Sequence, residues 1–119
     1  MTEGFKNDIG GKWMESASGK TFERRNPANG ELVGTFTKSN HVDVDAAVKA
    51  AKRAYADWRL FPAPKRGEIL FSAAQLLVER KEQLAREMTE EMGKVIDEAR
   101  GDVQEGIDMT YYIDRKSVV

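Results

Sequence analysis

The chain has 119 residues, 40% of them hydrophobic and 33% charged, which is typical of one soluble domain rich in charged helices. Its 19 Lys and Arg balance 20 Asp and Glu, and the two signs are interleaved, which argues against nucleic acid as a partner. No apolar run approaches a membrane span and the polar start does not resemble a secretory signal, so we expect a cytoplasmic protein without a membrane partner. Without cysteine, the sequence offers no disulfide, thiolate metal site or cysteine nucleophile.

The first forty residues have the features of short strands and turns. We expect residues 1–8 to form a flexible lead, and residues 9–14 and 20–25 to form a hairpin around the turn cluster at 16–19. Asn29 and Gly30 tolerate positive φ, so they predict a second turn before strand-like alternation resumes over 31–37. Two or three short strands make a marginal sheet unless something covers a face or extends an edge.

From residue 40 the apolar period becomes helical. Asn40 predicts an N-cap with Asp43 as its capping-box partner. One apolar stripe then runs to the expected helix end, through Val44, Ala47, Val48, Ala51, Tyr55 and Trp58. Two prolines stop this helix, and Pro64 suits the first position of the next one. The second helix is expected to bury one face, made of Ile69, Leu70, Ala73, Ala74 and Leu77.

Two further amphipathic helices complete the predicted architecture. The third, at about 81–92, is either continuous with the second helix or kinked near Arg80, and the fourth runs from about Ile96 to Ile113. Small Ala99 and Gly106 lie on the apolar stripe of the fourth helix, which indicates close approach of another helix. The predicted fold class is therefore an α+β fragment, with a short antiparallel β-hairpin region followed by about four α-helices.

Carboxylates crowd the stretch from Glu87 to Val103. Glu87 and Glu91 lie four residues apart on a helix, a spacing that suits a divalent cation, but their alternation with Lys and Arg favours a solvated face with weak ion pairs. Asp102 lies at the edge of the predicted core, where a carboxylate needs a partner. The candidate partners are Arg100, a backbone amide and a cation.

The other chemistry-bearing residues have simple interpretations. His41 has no second His or Cys to complete a metal set, so we assign it no role. Gly93 follows a predicted helix and precedes no Ser or Thr, which favours a helix stop with Lys94 at its negative end over a phosphate-binding loop. We predict no catalytic and no cofactor-binding residue in this chain.

Six motifs follow one another in an order and spacing that resemble the N-terminal segment of the aldehyde dehydrogenase superfamily. They are Ile9-Gly-Gly-Lys-Trp13, Asn26-Pro-Ala-Asn-Gly-Glu31, Asp43-Val-Asp-Ala-Ala-Val-Lys-Ala-Ala51, Pro64-Lys-Arg-Gly-Glu-Ile-Leu70, Glu91-Met-Gly-Lys-Val95 and Glu98-Ala-Arg-Gly-Asp-Val103. Each motif is weak alone, whereas their order is specific. The resemblance covers residues 9–112, and residues 113–119 form a tail that looks unlike the family.

The resemblance implies that residues 9–112 are the front part of a Rossmann-type cofactor domain. The parent reaction would be oxidation of an aldehyde to a carboxylic acid with NAD or NADP, and the family's catalytic Cys, Glu and Asn belong to later motifs. We therefore expect a truncated scaffold segment that is inactive alone and binds no cofactor itself. The family also has a structural cation in some members, which makes Asp102 a predicted metal ligand.

Helix faces that would pack against the sheet of the larger domain, which this chain does not contain, predict two kinds of partner. Exposed apolar faces predict self-association, so a non-enzymatic, self-associating helical interaction module is the alternative function. Mixed assembly with a full-length aldehyde dehydrogenase subunit is the other expected partnership, and it rests on analogy alone.

Overall fold

Short strands dominate the part of the chain before the first helix. The computed structural model describes residues 4–117, and these divide into a unit that ends at Leu60 and a unit that begins at Phe61. The described strands are β1 (Gly4–Phe5), β2 (Asn7–Ile9), β3 (Lys12–Met14), β4 (Thr21–Arg25) and β5 (Leu32–Thr37). The first unit also contains α1 (His41–Trp58), and the second contains α2 (Ala63–Glu79), α3 (Lys81–Met92) and α4 (Ile96–Ser117).

The first hairpin lies earlier in the chain than the sequence predicts. β2 and β3 pair antiparallel with Ile9 opposite Lys12, so Gly10 and Gly11 form a two-residue turn. Their φ angles of 62° and 77° are accessible to glycine at little cost, and such turns match the twist of paired strands. The prediction that residues 9–14 pair with residues 20–25 is wrong, because the two glycines reverse the chain first.

The second hairpin is where the sequence predicts it. β4 and β5 pair antiparallel, and the turn between them closes with the Asn26 N–H donating to the Glu31 carbonyl at 2.9 Å. β1 adds to the other side of β5 in parallel, which gives the order β1-β5-β4. β1 and β2 occupy much of the stretch expected to be a flexible lead, of which residues 1–3 lie outside the described part of the chain.

Helix α1 confirms the predicted cap and end. The Asn40 side chain accepts from the Val42 N–H at 2.9 Å and from the Asp43 N–H at 3.4 Å. The Asp43 carboxylate accepts from the Asn40 N–H at 2.8 Å, which completes the capping box. The predicted apolar stripe, however, is largely uncovered. Val44, Val48 and Tyr55 are 57%, 49% and 62% exposed, because the closest contacts of this helix in the unit are made on another side, by Asp43 and Ala50.

The helices of the second unit follow the predicted order with small changes at their ends. α2 begins at Ala63, one residue before Pro64, and Arg80 separates it from α3. Gly93 ends α3 in the left-handed conformation with φ 76°, as a helix-stop glycine does. α4 continues past the predicted end at Ile113 to Ser117.

A small-residue seam forms the core of the second unit. Ala85 on α3 and Ala99 on α4 are fully buried, beside Val103 and Ile107. Partly buried side chains surround this core, and they are Leu77, Leu84, Met88, Ile96 and Tyr111. The close approach predicted at Ala99 is therefore confirmed. Burial of Ile69 was predicted wrongly, because it is 52% exposed on the outer side of α2 while Ala74 is fully buried.

Large apolar side chains remain exposed in both units. Twenty of the described ones are exposed, among them Trp13 at 73% and Leu60 at 71%.

Within residues 4–117, no helix combines the length and apolar character needed to cross a membrane.

Thr89 on α3 supplies a test of how the second unit packs. Among the described side chains, its Oγ1 is buried without a hydrogen-bond partner, which costs roughly 1–3 kcal/mol. Thr89→Val replaces the hydroxyl with a methyl of similar shape, so we expect the free energy of unfolding in urea to rise by about 1 kcal/mol. Thr89→Ser is the matched control, since it keeps the hydroxyl and loses the methyl, and it should destabilise. A valine variant less stable than wild type would contradict this account.

Candidate functional site

A buried carboxylate joins the start of α1 to the turn that precedes β4. Asp43 is 7% exposed, and its Oδ2 accepts from Ser16 Oγ at 2.5 Å and from the Asn40 N–H at 2.8 Å. Its Oδ1 accepts from the Ala17 N–H at 2.8 Å. These three bonds, Ser16 first, hold the pKa of the Asp43 carboxyl below its usual value. A carboxylate whose two oxygens are both engaged in this way is suited to holding the fold rather than to moving protons.

The residues near Asp43 form only a shallow hollow. His41 is exposed at the first position of α1, and its charge adds weakly to the lowering of the Asp43 pKa. A cavity of about 180 Å³ lies beside the carboxylate, lined in part by Asn7 and Ser39, which hydrogen bond to each other at 2.9 and 3.0 Å. Sequence reasoning identified Asp43 only as a capping residue, and it missed the Ser16 contact 27 positions away.

Asp102, the predicted metal ligand, forms an ion pair with Lys94. The ammonium group of Lys94 donates to Asp102 Oδ2, and this hydrogen bond raises the pKa of Lys94, with further charge contributions from Glu98 and Glu105. The Asp102 side chain remains 41% exposed. No group of three or more side chains suited to holding a metal ion is found in the described part of the chain, so a cation at Asp102 stays a prediction.

Arg100, considered above as a partner for Asp102, instead bridges two helices. Its guanidinium donates to both Glu82 carboxylate oxygens at 2.8 and 2.9 Å, and to Asp97 Oδ1 at 2.8 Å. The pair with Glu82 and then that with Asp97 raise the pKa of Arg100, and Arg100 lowers the pKa of Glu82. The Glu82 pair therefore connects α3 to α4, while Asp97 holds the guanidinium from within α4.

An apolar groove with acidic edges runs between α2, α3 and α4. Its volume is about 410 Å³, and we call it the acid-rimmed groove. Its floor is formed by Leu77, Leu84, Met88, Val103 and Gly106, and its rim by Glu87, Glu91 and Asp102. A Cβ atom built on Gly106 would meet no atom within 4 Å. Sequence reasoning missed the groove, because periodicity placed Gly106 on a packed stripe without showing that nothing in the described chain packs against it.

Comparison with known proteins assigns the chain. The family model described as "Aldehyde dehydrogenase family" matches residues 13–117. The chain belongs to the aldehyde dehydrogenase family. The predicted N-terminal segment of that family is confirmed, and the match includes most of the residues that were expected to form an atypical tail.

Curated relatives agree with this assignment. Malonate-semialdehyde dehydrogenase 2 of Geobacillus kaustophilus is 50% identical over 111 residues, which cover 91% of this chain and 23% of that protein. Alpha-ketoglutarate semialdehyde dehydrogenase of Haloferax volcanii is 44% identical over 118 residues, which cover 98% of this chain and 24% of that protein. The chain thus spans about a quarter of the length of the aldehyde dehydrogenases it matches.

Solved structures of the family confirm the fold class. An NAD-dependent aldehyde dehydrogenase from Sinorhizobium meliloti superposes with a TM-score of 0.91 at 31% identity, over 99% of this chain and 24% of the other. A betaine aldehyde dehydrogenase from Staphylococcus aureus, a double mutant in complex with NAD+, superposes with a TM-score of 0.90 at 30% identity. That match covers 95% of this chain and 23% of the other. The strands and helices described above are therefore a segment of an aldehyde dehydrogenase fold.

The Asp43 network predicts a pH-dependent stability. Because the folded pKa lies below the unfolded value of about 4, Asp43 stabilises the fold above that value, and the contribution is lost as the pH falls through the folded pKa. We expect Asp43→Asn to lower the urea midpoint at neutral pH, and the gap from wild type to shrink below about pH 4. Asp45→Asn, at an exposed site on the same helix, is the control and should produce no such gap. A gap that stays constant down to acid pH would contradict the assignment.

Replacement of Gly106 by alanine is expected to stabilise the folded chain. Glycine inside a helix costs roughly 0.5–1 kcal/mol relative to alanine, and a methyl group at this position meets nothing in the described chain. We therefore expect Gly106→Ala to raise the thermal midpoint of the isolated chain, measured by circular dichroism. Gly93→Ala is the contrasting variant and should lower it, because φ is 76° at that position. Destabilisation by Gly106→Ala in dilute solution, where copies of the chain do not meet, would contradict this account.

Proposed function

We propose that this chain is the scaffold segment of an NAD(P)-dependent aldehyde dehydrogenase and that it does not catalyse on its own. The observation that carries the proposal is the family match over residues 13–117, combined with a span of only about a quarter of the relatives' length. The segment's role is to form one side of the cofactor domain of the larger protein, which we place in the cytoplasm.

The chemistry of the family supports dependence on the larger protein. The resemblance implies oxidation through a thiohemiacetal formed on a cysteine, and the 119 residues contain no cysteine. The described carboxylates that come closest to forming a site are engaged with Ser16, Lys94 and Arg100. The nucleophile and the groups that hold NAD or NADP would therefore come from the rest of the enzyme.

The exposed apolar faces indicate where the rest of the enzyme packs. Ile69 and Leu76 lie seven residues apart on the outer side of α2, and they are 52% and 48% exposed. Fully burying an apolar side chain of this size contributes about 1.5–3 kcal/mol, so covering this face would stabilise the assembled enzyme. Two of the relatives described above are named for semialdehydes, and we propose a semialdehyde as the substrate of the enzyme that contains this segment.

A second function is favoured by the same uncovered faces together with an uneven distribution of charge. In this alternative, the chain is a non-enzymatic helical module that associates with itself, or with a full-length aldehyde dehydrogenase subunit. Residues 81–113 contain nine Asp and Glu against four Lys and Arg, whereas residues 49–59 contain four Lys and Arg against one Asp. Opposite charge on separate helices favours association between copies.

Complementation tests the scaffold function. The purified chain should give no aldehyde-dependent rise in NADH absorbance. Addition to a malonate-semialdehyde dehydrogenase that lacks its matching segment should restore activity with malonate semialdehyde and NAD+. Ile69→Asp places a carboxylate on the outer face of α2 and should reduce the restored rate about tenfold or more, because a buried unpaired charge costs several kcal/mol.

The control for this assay is Gln75→Asp, which adds the same charge at another exposed position on α2 and should leave the restored rate near wild type. NADH formation by the chain alone, free of host dehydrogenases, would overturn the proposal. Equal restoration by the Ile69→Asp and wild-type chains would remove α2 from the proposed contact.

A further inference from the structure

We propose that two copies of this chain associate by placing the outer face of α1 from one copy in the acid-rimmed groove of the other. The inference rests on the second function above, the interaction module, and it names the surfaces and the partner. It concerns the chain by itself, so its failure leaves the scaffold function untouched.

The groove has the character of a helix-binding site. Its floor is apolar, and its volume of about 410 Å³ accommodates several side chains. Helix-in-groove recognition places apolar anchors at helical spacing into such a floor. Gly106 supports this use, because a glycine inside a helix has a cost that nothing packed within the described chain offsets. Its missing side chain leaves room for an anchor from another helix.

The rim of the groove gives the site its charge. Glu87 on α3 accepts from the neutral amide of Gln83 at 2.8 Å, and no cation pairs with it among the described residues. Asp102 is paired with Lys94, and Glu91 also has an interaction of its own, so neither is counted as a free charge. The surrounding residues 81–113 are nonetheless acidic by nine carboxylates to four cations. The occupant is therefore expected to carry cations beside its apolar anchors.

Helix α1 has that pattern on the side turned away from the strands. Its inner side is fixed by Asp43, which bonds to Ser16, and by Ala50, whose Cβ would lie 3.7 Å from one built on Gly10. Val48 and Tyr55 lie on the opposite side, seven residues apart, and are 49% and 62% exposed. Lys52 lies between them, also exposed, and it follows Val48 by four residues.

The two surfaces are complementary in both polarity and charge. Val48 and Tyr55 supply anchors for the apolar floor, and Lys52 meets the rim carboxylate of Glu87. Stable protein interfaces bury roughly 1,200–2,000 Å² in total, which is more than one helix in one groove provides. Association through a single groove should therefore be weak, and salt should weaken it further.

Charge exchange between variants tests this contact. The wild-type chain should show a mass that rises with concentration in sedimentation velocity, and less so at high salt. Lys52→Glu and Glu87→Lys should each weaken self-association about tenfold, because each places like charges together at the contact. An equimolar mixture of the two variants should associate like wild type, since each helix then meets a groove of opposite charge.

Lys38→Glu is the control, because it makes the same charge change at an exposed site outside α1 and should leave association unchanged. Circular dichroism of every variant separates loss of association from loss of folding, and the mixture provides a readout that unfolded chains cannot give. A wild-type chain that stays monomeric overturns the proposal. So does a mixture that associates no better than either variant, which would indicate a different interface.

Discussion

Close packing of α4 against α2 and α3 is the contact on which the second unit depends. Ala85 and Ala99 are fully buried where α3 meets α4, and Ile107 continues the seam at 2% exposure. Small residues allow two helix backbones to approach, and dispersion contacts then accumulate over many atom pairs. The first unit is held differently. Its described buried side chains are those of Asp43 and Ser16, which are polar and hydrogen bond to each other.

In the stretch from Glu87 to Val103, apolar packing and ion pairs have different roles in holding the helices together. The pairs around Arg100 are exposed to solvent, where ion pairs contribute little to stability, so they do not explain why the helices assemble. They do explain alignment, because a guanidinium held by Glu82 and Asp97 restricts how α3 can slide along α4. Gly93 and the Lys94–Asp102 pair then fix the corner between the helices. The acids that pair with Arg100 and Lys94 thus help to align these helices.

Local signals in the sequence predicted the elements well. The capping box of Asn40 and Asp43 and the stop at Gly93 involve residues within one or two turns of each other, so pattern alone locates them. The order of six such motifs identified the family. The contact from Ser16 to Asp43 spans 27 positions, and no local pattern encodes it. The first hairpin was predicted too late in the chain, because the turn cluster at 16–19 has a stronger turn composition than Gly10 and Gly11.

The apolar stripes also show what the hydrophobic periodicity of a helix cannot predict. A stripe such as that of Val44, Val48 and Tyr55 shows that a helix has an apolar side, but not which chain covers it. The same pattern on α4 is buried at Ala99 and open at Gly106, although the two positions lie seven residues apart on one helix. The difference depends on how closely the neighbouring helices approach each position, which is a property of the whole fold. For a family segment that spans a quarter of its relatives, the open positions are therefore as informative as the buried ones, since they show which helix faces the described chain leaves uncovered.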